Sequence, residues 1–180
     1  MERVVDGIKV ECVLGDIAQQ AGIEAVVNAA NAELKPGGGV AGAIHRAAGP
    51  GLAEECRHLA PIRPGTAVIT GAYNLPNRYV IHCLGPVYGV DKPSDQLLAN
   101  CYRNALKLAE EHRISSIAFP AISTGIFGYP MEEAAKIAFQ TIKEMAPLLK
   151  SVKLIRFVLR DKEALEIHQR VLASIFSEGN

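Results

Sequence analysis

Short apolar runs with no polar alternation constrain this chain most. Ile117-Ala118-Phe119 is wholly apolar, and Val152–Leu159 has only two charged breaks, Lys153 and Arg156. A strand with one face in water alternates apolar and polar residues, and a strand covered on both faces does not. The runs Ile8–Leu14, Ala25–Asn28, Ala67–Gly71, Tyr79–Leu84, Ser116–Pro120 and Leu154–Leu159 are therefore expected strands, several of them buried on both sides. Helical segments punctuate them. Val40–Ala48, Leu52–Leu59 and Ser94–Arg113 are expected helices, the last with Leu97, Cys101, Ala105 and Leu108 as its apolar stripe and Ser94 as its N-cap. A fourth opens with Pro130 in its first turn, buries Ala134, Ala138, Ile142 and Met145, and ends at Pro147. Asp161 is the expected cap of the last, in which Leu165, His168, Leu172 and Ile175 share a face. Alternating strands and helices predict an α/β fold, a three-layer α/β/α sandwich. The Ala67–Leu84 pair reads as an antiparallel excursion, so the sheet is expected to be mixed and mostly parallel. The length, 180 residues, fits a single domain spanning 1–180.

Composition narrows the partners. Nineteen basic residues balance nineteen acidic ones, for a formal net charge of zero. Nucleic-acid binders ordinarily carry a basic excess, so no nucleic acid is expected as partner. Any phosphate site must then work through backbone dipoles rather than bulk charge. No stretch reaches the roughly 20 apolar residues of a membrane span, and no signal peptide precedes the first strand, so no membrane association is expected. Cys12, Cys56, Cys83 and Cys101 have neither CxxC nor zinc-like spacing. Free buried thiols in a reducing, cytoplasmic setting are expected.

Two glycine-bearing loops, each between an expected strand and an expected helix, carry the chemistry. The first runs from Asn28 through Gly37-Gly38-Gly39-Val40, the second from Pro120 through Ser123-Thr124-Gly125-Ile126-Phe127-Gly128. Glycine lets amides crowd around an anion, and a helix beginning there adds free N–H groups and its positive dipole end. Neither loop is a GxxxxGK[ST] or GxGxxG motif, which weakens a nucleotide triphosphatase reading. Two such loops suggest a ligand with more than one phosphate. Ser123 and Thr124 add hydroxyl donors. Phe127 either tucks into the core or lays its ring on a sugar. Asn28 and Asn31, leaving a strand end, serve either turn chemistry or ribose hydroxyls. Asp16 either caps a short helix, Ile17–Ala21, or accepts from an exocyclic amine. His45 stands one turn into the first helix, where an isolated histidine is usually structural. His82 receives no role.

Taken together, these motifs resemble the macro domain family over nearly the whole chain. Gly15-Asp16-Ile17, Val27-Asn28-Ala29-Ala30-Asn31, Gly37-Gly38-Gly39-Val40, Ala43–Gly49 and Pro120–Tyr129 match in order and spacing. The resemblance implies a mixed sheet between two helix layers and a site for ADP-ribose, whose conjugates many members hydrolyse. It implies that Asp16 accepts from the adenine amino group beside the Ile17 amide. Asn31 would hold the distal ribose, with Asn28 at the same strand end and Phe127 packed on the sugar. Gly38, Gly39 and Val40 would cradle one side of the diphosphate, and Ser123, Thr124, Gly125 and Ile126 the other. Two departures stand out. The branch sharing the Ile44–Gly49 stretch typically carries Asp two residues after the triple glycine, where this chain has Ala41. Many relatives place an aromatic on adenine where this chain has Arg160, whose planar guanidinium either stacks there or ends the strand in solvent.

The resulting expectation is hydrolysis of an ester at the distal ribose, in O-acetyl-ADP-ribose or a mono-ADP-ribosylated protein. Water would be oriented by Asn31, by the diphosphate and by the Gly38–Val40 backbone, Gly39 included, with His45 in support. No metal and no cofactor are expected. The competing readings are a reader that binds ADP-ribose unchanged and an ADP-ribose-1″-phosphate phosphatase.

Overall fold

The computed structural model describes residues 1–177. Its elements run β1 (Glu2–Val5), β2 (Ile8–Leu14), β3 (Ala25–Ala29), α1 (Gly39–Ala48), α2 (Pro50–Cys56), β4 (Ala67–Gly71) and β5 (Tyr79–Cys83). Then follow α3 (Ser94–Glu111), β6 (Ser116–Phe119), α4 (Met131–Met145), a short 3-10 turn, β7 (Leu154–Leu159) and α5 (Lys162–Ile175). One sheet takes the order β1-β2-β7-β6-β3-β5-β4. Its five inner strands are parallel, and β1 and β4 pair antiparallel at the two edges. The expected mixed, mostly parallel sheet is what the chain forms, and the antiparallel excursion is β4 on β5.

The absence of alternation is explained by the packing. Val26 faces the α1 and α2 side and Val27 faces α3, α4 and α5, and both are fully buried. Ile117, Ala118 and Phe119 divide between the two cores in the same way. The larger core sits under α3, α4 and α5 around Phe119, Phe139 and Phe157, with ring centroids 5.5 Å apart for Phe119–Phe157 and 4.8 Å for Phe139–Phe157.

Local details differ from expectation. β1 carries no apolar run because its residues are alternately exposed and half-buried at the sheet edge. α2 stops at Cys56, three residues short of Leu59. α3 buries Leu98, Cys101, Tyr102, Ala105, Leu106 and Ala109, so its stripe is rotated from the one through Leu97 and Leu108. Ser94 does not cap it; Pro93 holds that position, and the Ser94 hydroxyl donates to the Asp91 carbonyl at 2.6 Å. Pro130 likewise sits at the N-cap of α4 rather than in its first turn. Asp161 caps α5 as expected, accepting from Ala164 N at 2.8 Å. All four cysteines are buried and free. No helix among the described residues is long and apolar enough to cross a membrane.

Candidate functional site

Open α/β sheets bind ligands beyond the carboxyl ends of their parallel strands. Here that edge holds a cleft of about 910 Å³. Each parallel strand delivers part of its wall: Gly15 and Asp16 after β2, Ala29 and Ala30 at the end of β3, Gly85 after β5, Pro120 after β6, Arg160 and Asp161 after β7. Both glycine loops reach it, through Gly38, Gly39 and Val40 on one rim and Ser123 to Phe127 on the other. The wall carries two arginines, Arg46 and Arg160, and no lysine.

The first rim is a bare helix end. Gly38 is the N-cap of α1 and offers no side-chain cap, and the first turn holds no acidic residue because position 41 is alanine. The leading amides of a helix lack intrahelical partners and gather the positive end of its dipole. Gly39 has φ +55°, a left-handed conformation that a β-branched residue rarely adopts. Among the described residues, no side chain caps these amides.

The second rim is tied down by its own hydroxyls. Ser123 Oγ donates to the Pro86 carbonyl at 2.8 Å and Thr124 Oγ1 to the Ala121 carbonyl at 2.8 Å. The expectation of two free hydroxyl donors is corrected here: both protons are spent shaping the loop. A Cβ on Gly85 would run into Ser123 Oγ, so glycine at 85 permits that contact. Tyr88 N donates to the Phe127 carbonyl at 2.9 Å, joining the rim to the loop that follows β5. Phe127 is half-buried; it packs on the α1 and α2 core and also lines the cleft.

At the β2 end, Asp16 does not start a helix. Its Oδ1 accepts from Ala18 N at 2.8 Å and closes a tight turn. Asp16 and Ile17 line the cleft, with Arg160 exposed at the neighbouring strand end.

The two asparagines and the histidine stand behind or beside the wall rather than in it. Asn31 uses its carboxamide twice on Lys35, Nδ2 donating to the carbonyl at 2.8 Å and Oδ1 accepting from the amide at 2.9 Å. One N–H and one lone pair remain on it. Asn28 is buried and its Nδ2 donates to His82 Nδ1 at 3.1 Å. That fixes the proton of His82 on Nε2, which donates to Thr70 Oγ1 at 2.9 Å. The Thr70 hydroxyl then donates to the Gly71 carbonyl at 2.9 Å. Burial, with a smaller push from His45, drives the His82 pKa down to about 3. His45 is buried, and desolvation lowers its pKa as well. Among the described residues, neither ring nitrogen of His45 nor Asn28 Oδ1 has a hydrogen-bond partner.

A family model described as Macro domain matches residues 27–138, from the middle of β3 into α4. The chain belongs to the macro domain family. The macro domain is 46% identical over 172 residues to an O-acetyl-ADP-ribose deacetylase of Klebsiella pneumoniae, covering 93% of this chain and 98% of that one. It is 53% identical over 138 residues to the ADP-ribose glycohydrolase MACROD2 of Homo sapiens, covering 76% of this chain and 32% of that protein. Its fold superposes on a variant Oceanobacillus iheyensis macrodomain with ADPR at a TM-score of 0.93, 38% identity and 99% coverage of both chains.

Sequence reasoning placed neither Arg46 nor Asp161 in the wall of this macro domain, although both carry charge and line the cleft. Arg46 stands at helical spacing after Val40 and Ala43, which is the signal that could have placed it in the cleft. Its guanidinium folds back along α1, so that a Cβ on Gly42 would lie 3.0 Å from Nη1.

Proposed function

We propose that this macro domain binds ADP-ribose in the cleft and hydrolyses an ester at the distal ribose. The uncapped α1 terminus, facing an amide-bearing loop across a wall with no lysine, carries the reading. Oriented amides suit a compact diphosphate without bulk cationic charge. The activities for which the Klebsiella and human relatives are named support hydrolysis of an ADP-ribose derivative. Candidate substrates are O-acetyl-ADP-ribose and mono-ADP-ribosylated carboxylate side chains.

In this reading Asp16 and the Ile17 amide take the adenine edge, with Arg160 laid on its face. Gly38, Gly39 and Val40 grip the diphosphate from one side, and the Ser123–Ile126 backbone from the other. Phe127 packs on the distal ribose. The spare N–H and lone pair of Asn31 hold a hydroxyl or the attacking water. Water adds to the acyl carbon, the bond from that carbon to the ribose oxygen breaks, and ADP-ribose leaves as the alcohol. His45 supports the helix end from behind as a neutral imidazole, and Asn28 holds the strand end through His82. Orientation of this kind supplies about 7–11 kcal/mol of barrier reduction at its best. Four buried free thiols suit the cytoplasm, a reducing compartment.

Ala41 favours a second reading, a module that binds ADP-ribose and releases it unchanged, because no carboxylate stands where a general base would. The deciding experiment incubates the pure protein with O-acetyl-ADP-ribose and with an ADP-ribosylated acidic protein, with products followed by mass spectrometry. Release of ADP-ribose above the uncatalysed rate is expected. Tight calorimetric binding with no turnover would establish the module instead.

A further inference from the structure

A series of polar contacts runs beneath the turn that carries Asp16, away from the cleft wall. Glu11 on β2 and Arg156 on β7 are direct partners in the parallel register. Arg156 Nε donates to Glu11 Oε2 at 2.6 Å, and Arg156 Nη1 donates to Gln20 Oε1 at 3.1 Å. Gln20 Nε2 in turn donates to the Asp16 carbonyl at 2.8 Å. Asn77 Nδ2 holds the Gln20 carbonyl at 2.8 Å. Glu11 and Gln20 are buried.

Burying polar side chains in series carries a desolvation cost that apolar residues would avoid, and a staple between two already paired strands does not require it. The series ends at one atom, the backbone oxygen of Asp16. Burial pushes the Glu11 carboxyl up, but the bonds from Arg156 and Lys9 outweigh it and hold the pKa below the ordinary value. The anchor is therefore charged at neutral pH. With its backbone held by Gln20 and its Oδ1 held by Ala18 N, Asp16 keeps one carboxylate oxygen to accept a further donor.

We propose that Gln20 and Arg156 are positioning residues that place the Asp16 carboxylate and so set the preference for a base bearing an exocyclic amino group. The inference rests on the reading of the cleft as an ADP-ribose site. It differs from a structural role in one measurable way. A merely structural contact lowers the affinity of every ligand alike, whereas a positioning contact acts only on the ligand whose base donates to Asp16.

The test compares ADP-ribose with its hypoxanthine analogue, which presents a 6-oxo group in place of the amine, by calorimetry. Gln20→Met keeps the volume and removes both bonds. It is expected to weaken ADP-ribose by about fivefold to tenfold, the scale of one lost hydrogen bond, and to leave the hypoxanthine analogue within about twofold. Arg156→Lys keeps a cation opposite Glu11 but loses the fork to Gln20, and should show the same selective loss should Gln20→Met fold poorly. In an Asp16→Ala background neither substitution should matter further. Equal loss for both ligands, or unchanged ADP-ribose affinity, overturns the proposal while the cleft reading survives. Absence of ADP-ribose binding by the unsubstituted chain overturns both.

Discussion

Along the α1 rim no side chain caps the helix, and the first helical bond, Gly42 N to the Gly38 carbonyl at 3.1 Å, lies one turn in. Along the facing rim Thr124 donates to the nearby Ala121 carbonyl, Ser123 donates to Pro86 on the loop after β5, Tyr129 N donates to the Ser123 carbonyl at 2.9 Å, and Tyr88 N reaches back from that same loop after β5. The first rim has no side chain tying down its helix end, whereas hydrogen bonds between loops hold the second, in which Ser123 (φ +68°) and Gly128 (φ +77°) are also left-handed. The difference decides what breaks each. A substitution that forbids a dihedral angle disables the first, and a substitution that deletes a hydroxyl loosens the second.

Gly39→Val tests the first rim most severely. At φ +55° a β-branched side chain carries strain on the order of 1–3 kcal/mol before any ligand contact is lost. Relief of that strain turns the leading amides of α1 away from the diphosphate. ADP-ribose affinity should fall by roughly 100-fold or more in calorimetry, with the circular dichroism of the fold retained. Affinity within about threefold of the parent would remove the α1 amides from the site.

The rims also differ in what lies behind them. His45 and His82 back the α1 side, and burial lowers both pKa values, that of His82 to about 3. Tyr129 backs the other side, with burial raising its pKa to about 12. For a depressed histidine the unfolded chain takes up a proton at higher pH than the native one, so stability falls as pH drops below the ordinary value. For His82 the window runs from about 6.5 to about 3, with a slope of up to about 1.4 kcal/mol per pH unit. For the tyrosine the unfolded chain loses its proton first, so stability falls as pH rises above about 10. His168, buried on α5, is depressed in the same way, so hydrogen exchange should show α1, β5 and α5 opening in acid between pH 6 and pH 4 before the Ser123–Tyr129 rim. Equal acid sensitivity of both rims would break the contrast.

Ser123→Ala addresses the second rim. It deletes the donor to Pro86 and leaves a buried carbonyl without that partner, a loss of about 1 kcal/mol. ADP-ribose affinity is expected to fall about fivefold, and the melting midpoint by a few degrees. A stability loss with unchanged affinity would show that the rim does not need this tie to hold its amides.

These contrasts bear on what the chain discloses before it folds. The backbone parts of the cleft were legible because they depend on residue type: three successive glycines open α1, and glycines flank Ile126 and Phe127. The strands were legible because burial on both faces removes their polar alternation. What stayed hidden depends on residues distant in sequence. Gln20, in the segment after β2, meets Arg156 on β7 across 136 positions, and Asn28 on β3 meets His82 on β5 across 54, only because the sheet order sets β2 beside β7 and β3 beside β5. The hydroxyls of Ser123 and Thr124 looked free because their acceptors are main-chain carbonyls, which no side-chain pattern announces. β1 was missed because an edge strand exposed on alternate residues needs no apolar run.

The smallest expected effect comes from Ala41→Asp, and it separates binding from turnover on the α1 rim. Position 41 lies in the first turn of the helix and is nearly buried, at 6% exposure. A carboxylate there gains about 0.3–1 kcal/mol from the helix terminus, and its desolvation at this buried position offsets that gain, so stability changes little. The same carboxylate competes with the diphosphate for those amides, so ADP affinity should fall about twofold to fivefold. If the missing general base limits ester cleavage, kcat on O-acetyl-ADP-ribose rises as that affinity falls, and it rises with pH as the new carboxylate ionises. A weaker affinity with no gain in kcat would instead mean that water is already held well enough by Asn31, the α1 backbone and the substrate's own phosphates, and that alanine at this position leaves the anion an uncontested helix end.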